Sequence, residues 1–204
     1  MSKEVFKKFM SQVEKKLMTF TTLFITGIVV SNVIASKVVK IGLFVFPASI
    51  ISYTFTFIIS NMVSESVDKK YSKQLIYMGF LAQITASLLI ILGLFMPSAS
   101  VERGEAYKII LGMNWRFTIA SLSAYGTSQL INHYVFNKGL FKSPLTANLV
   151  SVGIAQFFDT LVFTYVAFLG VYKGLWGMIL SQYVIKVIIV IVTNPVFLLI
   201  KKAK

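Results

Sequence analysis

The sequence contains no cysteine and a single histidine, His133. The missing cysteines exclude disulfide bonds, Cys-ligated zinc, iron–sulfur clusters and a thiol nucleophile. His133 falls at the end of an apolar segment, and no carboxylates are spaced around it for a metal site or for general acid–base catalysis. A P-loop is also absent, so the chain has no ATPase motif of its own. We therefore predict that the chain is not an enzyme and that it holds neither a metal nor another cofactor.

Charged residues are scarce as well. They make up 13% of the 204 residues, whereas a typical soluble domain has about 25%. The chain is 56% hydrophobic with a mean hydropathy of +0.79, and its apolar residues are concentrated in long runs. Such runs are typical of membrane-spanning helices. The composition therefore predicts an all-α integral membrane protein.

Six apolar segments are each close to the ~20 residues that a helix needs to cross a bilayer. The predicted spans are residues 17–38, 43–64, 74–96, 115–136, 144–170 and 174–200. Together they predict a bundle of six transmembrane helices that occupies residues 17–204. Residues 1–16 are rich in lysine, with Phe6, Phe9, Met10 and Val13 at helical spacing. This segment is either a basic amphipathic helix on the inner leaflet or a solvated start of the chain. The longest connection, residues 97–114, has room for a short helix.

Acidic residues are the rarer charge, with 7 against 20 Lys and Arg, for a net charge of +13. On a soluble protein this excess would suggest nucleic acid as a partner. If the N-terminus is on the inner side, 13 of the basic residues fall in the inner loops and chain ends and 5 in the outer loops. The other two, Arg116 and Lys186, fall in the spans. The positive-inside rule accounts for this asymmetry. We therefore predict that both termini are cytoplasmic and that the partner is the lipid bilayer, not nucleic acid.

Asp159 is the only acidic residue after Glu105, and it lies inside the apolar fifth span. A charge at the bilayer centre costs at least ~2.5–3.5 kcal/mol. At ~1.5 Å per residue, Asp159 and Lys186 lie ~16 and ~18 Å from the outer ends of two spans joined by a short turn. Two interpretations stay open. The pair is either a structural salt bridge or a site that contacts a polar solute or relays a proton.

Other polar residues accompany this pair. Gln156 lies three residues before Asp159 on the same helical face, and Asn148 continues that face toward the inside. Tyr53 and Asn32 are predicted at depths of ~15 and ~9 Å. In the fourth span, one helical face carries Tyr125, Ser128, Gln129 and Asn132. The alternative role of this face is hydrogen bonding between helices, worth ~0.6 kcal/mol per contact.

A set of polar and aromatic residues, spread over roughly residues 20–200, forms a specific pattern. Its most specific pieces are Gln-x-x-Asp-Thr at residues 156–160 and Tyr-x-x-Lys at residues 183–186. The remaining pieces are Ser31-Asn32 with Lys37, Pro47, Tyr53, Phe57, Glu65, Arg116, Ala120-Ser121, Ala124-Tyr125, Gln129, Phe136, Asn148, Ser151, Phe163 and Ala167-Phe168. This pattern resembles the queuosine precursor transporter family, also described as vitamin uptake transporters. The chain departs from it at Asn61 and Asn132, where the family usually has an acid, so no coupling role of those acids is carried over.

The resemblance implies an importer in the inner (cytoplasmic) membrane that carries a 7-deazaguanine base, such as preQ0 or preQ1, or queuine, for tRNA queuosine salvage. A carboxylate such as Asp159 accepts side by side from a ring N–H and an exocyclic amine. The carbonyl and the pyrrole N–H would then pair with amides at Gln156, Asn32 or Gln129. The ring of the base would stack on Tyr53, Phe157 or Tyr183. The residues expected to bind the substrate are Asn32, Tyr53, Arg116, Gln129, Asn148, Gln156, Asp159, Tyr183 and Lys186.

Two other functions compete with this reading. The first is a substrate-binding subunit of an energy-coupling-factor vitamin importer, which has a similar size and number of spans. The first span, TTLFITGIVVSNVIAS, lacks the Ala-x-x-x-Ala surface with which such subunits dock on their energising module. The second is a membrane scaffold that transports nothing, whose polar residues would be replaceable by apolar ones. The sequence leaves open both a homodimer and association with an ATPase module.

Overall fold

A computed structural model describes the backbone of residues 3–66, 69–137 and 144–202, and the side chains of residues 14–60, 62–63, 71, 73–135 and 150–189. In these ranges the chain forms helices joined by short connections and one two-stranded hairpin. The elements in order are α1 (Lys3–Ile34), β1 (Val38–Ile41), β2 (Phe44–Pro47), α2 (Ile50–Ser66), α3 (Lys69–Phe95), α4 (Val101–Leu111), α5 (Asn114–Asn137), α6 (Pro144–Phe168) and α7 (Leu175–Lys202).

The hairpin of β1 and β2 corrects the sequence prediction, which ended the first span at residue 38 and began the second at residue 43. The prediction of helix over residues 43–47 is wrong, because these residues pair with β1 in an antiparallel ribbon. Alternating β-branched and aromatic residues favour a strand here. Gly42, at φ 58°, occupies the first position of the two-residue turn, which requires a left-handed conformation. Pro47 then closes the ribbon, since it has no N–H to extend it.

The other long helices lie close to their predicted positions. α3, α5, α6 and α7 begin and end within five residues of the third to sixth predicted spans. In the described residues, three helical stretches are long and apolar enough to cross a membrane: Glu14–Ile34, Lys73–Phe95 and Val150–Phe168. Ile50–Ser60 and Leu175–Ile189 are shorter apolar helices. These stretches are consistent with a helical membrane protein. The number of six spans and the cytoplasmic position of both termini stay predictions.

Two further expectations concern connections and ends. The loop at residues 97–114 does hold a short helix, α4, whose first turn is capped by Ser100: the Oγ accepts a hydrogen bond from the Arg103 N–H at 3.4 Å. Glu102 in the same turn is favourably placed for the helix dipole. At the chain start, α1 runs from Lys3 to Ile34 as one helix, so the boundary at residue 16 does not separate two elements.

Two apolar clusters hold the bundle together. At the hairpin end, Ala35, Phe117 and Phe168 join α1, α5 and α6 to the start of α7, with Val38 and Val45 of the hairpin packed against them. The second cluster joins α1, α2 and α3 and contains Phe24, Ile59, Val63 and Leu75.

Candidate functional site

A cavity of about 240 Å³ lies among all six long helices, α1, α2, α3, α5, α6 and α7. This volume is close to the lower end of the range of about 300–1,000 Å³ found for small-molecule sites. Five of the nine residues expected to bind substrate line it: Tyr53, Gln129, Gln156, Asp159 and Lys186. The cavity therefore collects the central part of the predicted polar set.

Asp159 and Lys186 form an ion pair in the wall of this cavity. The Lys186 Nζ donates to the Asp159 Oδ2 at 2.8 Å, and the two side chains are 8% and 17% exposed. The short turn between α6 and α7 makes these helices antiparallel neighbours, so two residues at similar distances from the turn meet. The pairing neutralises two charges whose separate burial would be costly.

Tyr53 of α2 extends the pair across the bundle. Its hydroxyl donates to the Gln156 Oε1 at 3.0 Å, and the Lys186 Nζ lies 4.2 Å from the centroid of its ring, a cation–π contact. We call Tyr53, Gln156, Asp159 and Lys186 the charged cluster. Among the described residues, the Asp159 Oδ1 and the Gln156 Nε2 have no hydrogen-bond partner. The charged cluster therefore offers one acceptor and one donor to a solute.

Arg116 lies outside the cavity lining and has a different environment. Its Nε donates to the main-chain oxygen of Val166, and its Nη2 to that of Leu169, both at 2.6 Å. The Val166 carbonyl belongs to the last turn of α6 and the Leu169 carbonyl follows it directly, where intrahelical donors run out and a cation is favoured by the helix dipole. The guanidinium thus caps the C-terminus of α6.

The other predicted residues also differ in their surroundings. Asn32 is buried and donates from Nδ2 to the Thr118 Oγ1 at 2.8 Å, which joins α1 to α5. The Tyr183 hydroxyl donates to the main-chain oxygen of Gly153 at 3.3 Å, and its ring meets that of Phe157 edge to face. Neither residue lines the cavity. The side chain of Asn148 lies outside the described residues.

Sequence reasoning missed Gln83 on α3. It lines the cavity at 3% exposure, and its Oε1 has no hydrogen-bond partner in the described part of the chain. A buried polar atom left unsatisfied costs about 1–3 kcal/mol. Its sequence signal is one amide within the apolar run Leu81–Leu92, which is weak because no charged residue accompanies it. The Asn132 Oδ1 is also buried and has no hydrogen-bond partner among the residues that the structure describes, but Asn132 does not line the cavity.

Aromatic rings form much of the remaining lining. Phe80 of α3 and Tyr125 of α5 meet edge to face with centroids 4.9 Å apart. Phe57 and Phe163 also face the cavity, whereas Phe157, expected from the sequence to stack on a solute, does not. The site therefore combines a flat apolar lining with a few polar groups, as small-molecule sites generally do.

Comparison with known proteins decides the family. Residues 47–200 match the model of the family described as "Putative vitamin uptake transporter". The chain belongs to this transporter family. It is also 29% identical over 154 residues to a "Probable queuosine precursor transporter" of Bacillus subtilis (strain 168), an alignment that covers 71% of this chain and 67% of the relative. No solved structure matches the chain.

The family match includes α2 to α7, and with them every residue of the charged cluster. The resemblance to queuosine precursor transporters is thereby confirmed. Membership in a transporter family also fits the apolar helices, because a transporter acts on a small molecule within a lipid bilayer.

Proposed function

We propose that the chain imports a 7-deazaguanine base, preQ0, preQ1 or queuine, across the cell membrane for queuosine salvage. The observation that carries the proposal is a pair of polar atoms in the charged cluster, the Asp159 Oδ1 and the Gln156 Nε2, which have no hydrogen-bond partner within the described part of the chain and lie on the wall of an aromatic-lined cavity. The name of the Bacillus subtilis relative supports the same substrate class.

The two free atoms complement one edge of a guanine-like base. That edge presents a carbonyl oxygen, a ring N–H and an exocyclic amine in sequence. The Gln156 Nε2 can donate to the carbonyl, while Asp159 accepts from the ring N–H and the amine. Because one carboxylate oxygen already accepts from Lys186 at 2.8 Å, a bidentate contact requires the Oδ2 to accept a second hydrogen bond. Charge-assisted contacts of this kind are roughly twice as strong as neutral ones.

Each side chain of the charged cluster has a separate part in this proposal. Tyr53 holds the Gln156 Oε1, so the amide is oriented with its NH2 toward the solute. Lys186 donates to the Asp159 Oδ2 and so balances the charge of the carboxylate. Phe80 and Tyr125 provide flat apolar surface for the ring.

Binding and uptake of preQ0, preQ1 and queuine, measured side by side, test the proposal. We expect the wild-type protein to bind at least one of them and to accumulate it in cells. Asp159→Asn removes the charge-assisted contacts and should weaken binding at least ~10-fold. Glu105→Gln, an exposed acid on α4, serves as the matched control and should bind as the wild type does.

The same assay separates the competing functions. Absence of wild-type binding to all three bases would overturn the proposal, as would wild-type uptake by an Asp159→Asn protein present at normal levels in the membrane. Uptake that disappears in cells without an energy-coupling ATPase module, together with co-purification of ATPase subunits, would instead identify a substrate-binding subunit of that kind of importer.

A further inference from the structure

Gln83 is a buried polar side chain of the cavity that the proposed contacts do not use. It is 3% exposed and lines the cavity, yet its Oε1 has no hydrogen-bond partner among the described residues. Most buried polar side-chain atoms have a partner, and the exceptions call for an explanation. A ligand that donates a hydrogen bond to this oxygen would provide one.

The position of Gln83 relative to the charged cluster narrows the chemistry of that ligand. α3, which carries Gln83, packs against α1, α2 and α5, whereas α6 packs against α5 and α7. Asp159 and Gln156 on α6 and Lys186 on α7 therefore lie on a different wall of the cavity from Gln83. A planar solute held by the charged cluster at one edge presents another edge to α3.

We propose that Gln83 is a second recognition residue, whose Oε1 accepts a hydrogen bond from the pyrrole N–H of a free 7-deazaguanine base. This inference rests on the proposed function, because it assumes that the charged cluster holds the guanine-like edge. The pyrrole N–H lies at the opposite end of the fused rings from that edge. In a nucleoside the ribose replaces this hydrogen, so the site selects the free base over its nucleoside.

The other polar groups of the lining suit this contact less well. Gln129 of α5 is exposed, so its amide is not a buried polar group that calls for a ligand. The Gln182 Nε2 already donates to the Thr164 Oγ1 at 2.9 Å. Gln83 differs from both because its acceptor is buried and unsatisfied.

The test uses purified wild-type and Gln83→Met proteins and two ligands, a 7-deazaguanine that the wild type binds and the same base methylated at the pyrrole nitrogen. Methionine keeps the length of the side chain and removes the acceptor. We expect the wild type to bind the methylated base about 10-fold more weakly than the parent base. For Gln83→Met, we expect the affinities for the two bases to differ by less than about 3-fold. Thr85→Val, a polar-to-apolar change on the exposed face of α3, should discriminate as the wild type does.

Thermal unfolding without ligand distinguishes recognition from a structural role. Since replacing an unsatisfied buried group with an apolar one removes a desolvation cost, Gln83→Met should be at least as stable as the wild type. Undiminished discrimination by Gln83→Met, or a clear loss of its unliganded stability, would overturn the inference. A wild type that binds no deazaguanine would instead overturn the proposed function.

Discussion

Lys186 and Arg116 are the two basic residues that the sequence places within the spans, and the structure gives them different partners. Lys186 faces the cavity, where it pairs with a carboxylate and lies against the Tyr53 ring. Arg116 lies near the start of α5 and donates to two main-chain oxygens at the end of α6. One cation belongs to a candidate binding site and the other to a helix end.

The difference follows from depth and from side-chain chemistry. A helix end exposes carbonyls that have no intrahelical donor, and the planar guanidinium can bind two of them at once. A lysine deep in the bundle has only side chains to meet, so its position requires an acid at the same depth. A basic residue in an apolar span is therefore a functional candidate only when no helix terminus is within its reach.

The largest effect should come from breaking the ion pair. Asp159→Leu leaves Lys186 buried without its carboxylate, and we expect a loss of about 3–5 kcal/mol in the free energy of unfolding. The double variant Asp159→Leu/Lys186→Met removes both charges and should recover most of that stability without recovering binding. Thermal unfolding in detergent and ligand binding measure the two quantities. Stability that stays low in the double variant would show that the two residues contribute independently.

Arg116→Met should have a smaller effect, and on stability alone. It deletes two hydrogen bonds from a charged donor, so we expect a loss of about 2 kcal/mol in the free energy of unfolding. The affinity for a deazaguanine should stay within about 2-fold of the wild type, because Arg116 does not line the cavity. Arg116→Lys keeps the charge, so its stability should fall between those of the wild type and Arg116→Met. A drop in affinity at normal stability would place Arg116 in the binding site and remove the contrast with Lys186.

The smallest effect should come from Tyr53→Phe, which keeps the ring beside Lys186 and removes the hydroxyl that holds Gln156. One neutral hydrogen bond contributes about 0.5–1.5 kcal/mol, so we expect the affinity to fall by roughly 2- to 10-fold. Tyr183→Phe is the matched control, since its hydroxyl donates to the Gly153 main chain away from the cavity. Equal losses in the two variants would mean that Tyr53 does not orient Gln156 for the solute.

Much of this architecture was readable from the sequence. Long apolar runs set the positions of α3, α5, α6 and α7. The sequence also placed Asp159 and Lys186 at similar depths on neighbouring helices, but it left open whether they pair with each other, as they do in the structure, or contact a solute. Hydropathy could not predict the hairpin, because a valine-rich strand and an apolar helix look alike in composition. Nor could it separate Asn32 or Arg116 from the cavity, since a polar residue in a span satisfies its hydrogen bonds equally well on a neighbouring helix. Gln83 was overlooked because burial without a partner is visible only once the helices are packed.

The hairpin also couples the helices mechanically. It leads directly from α1 to α2, and the Val45 N–H donates to the Ser181 Oγ of α7 at 3.0 Å. Main-chain pairing within the ribbon stiffens this link, and the Ala48 N–H adds a bond to the Lys37 oxygen at 2.8 Å. At this end of the bundle the hairpin thus connects α1, α2 and α7 to one another. If a transport cycle exposes the cavity to each side of the membrane in turn, α1, α2 and α7 either move together as a rigid body or the hydrogen bond between Val45 and Ser181 breaks.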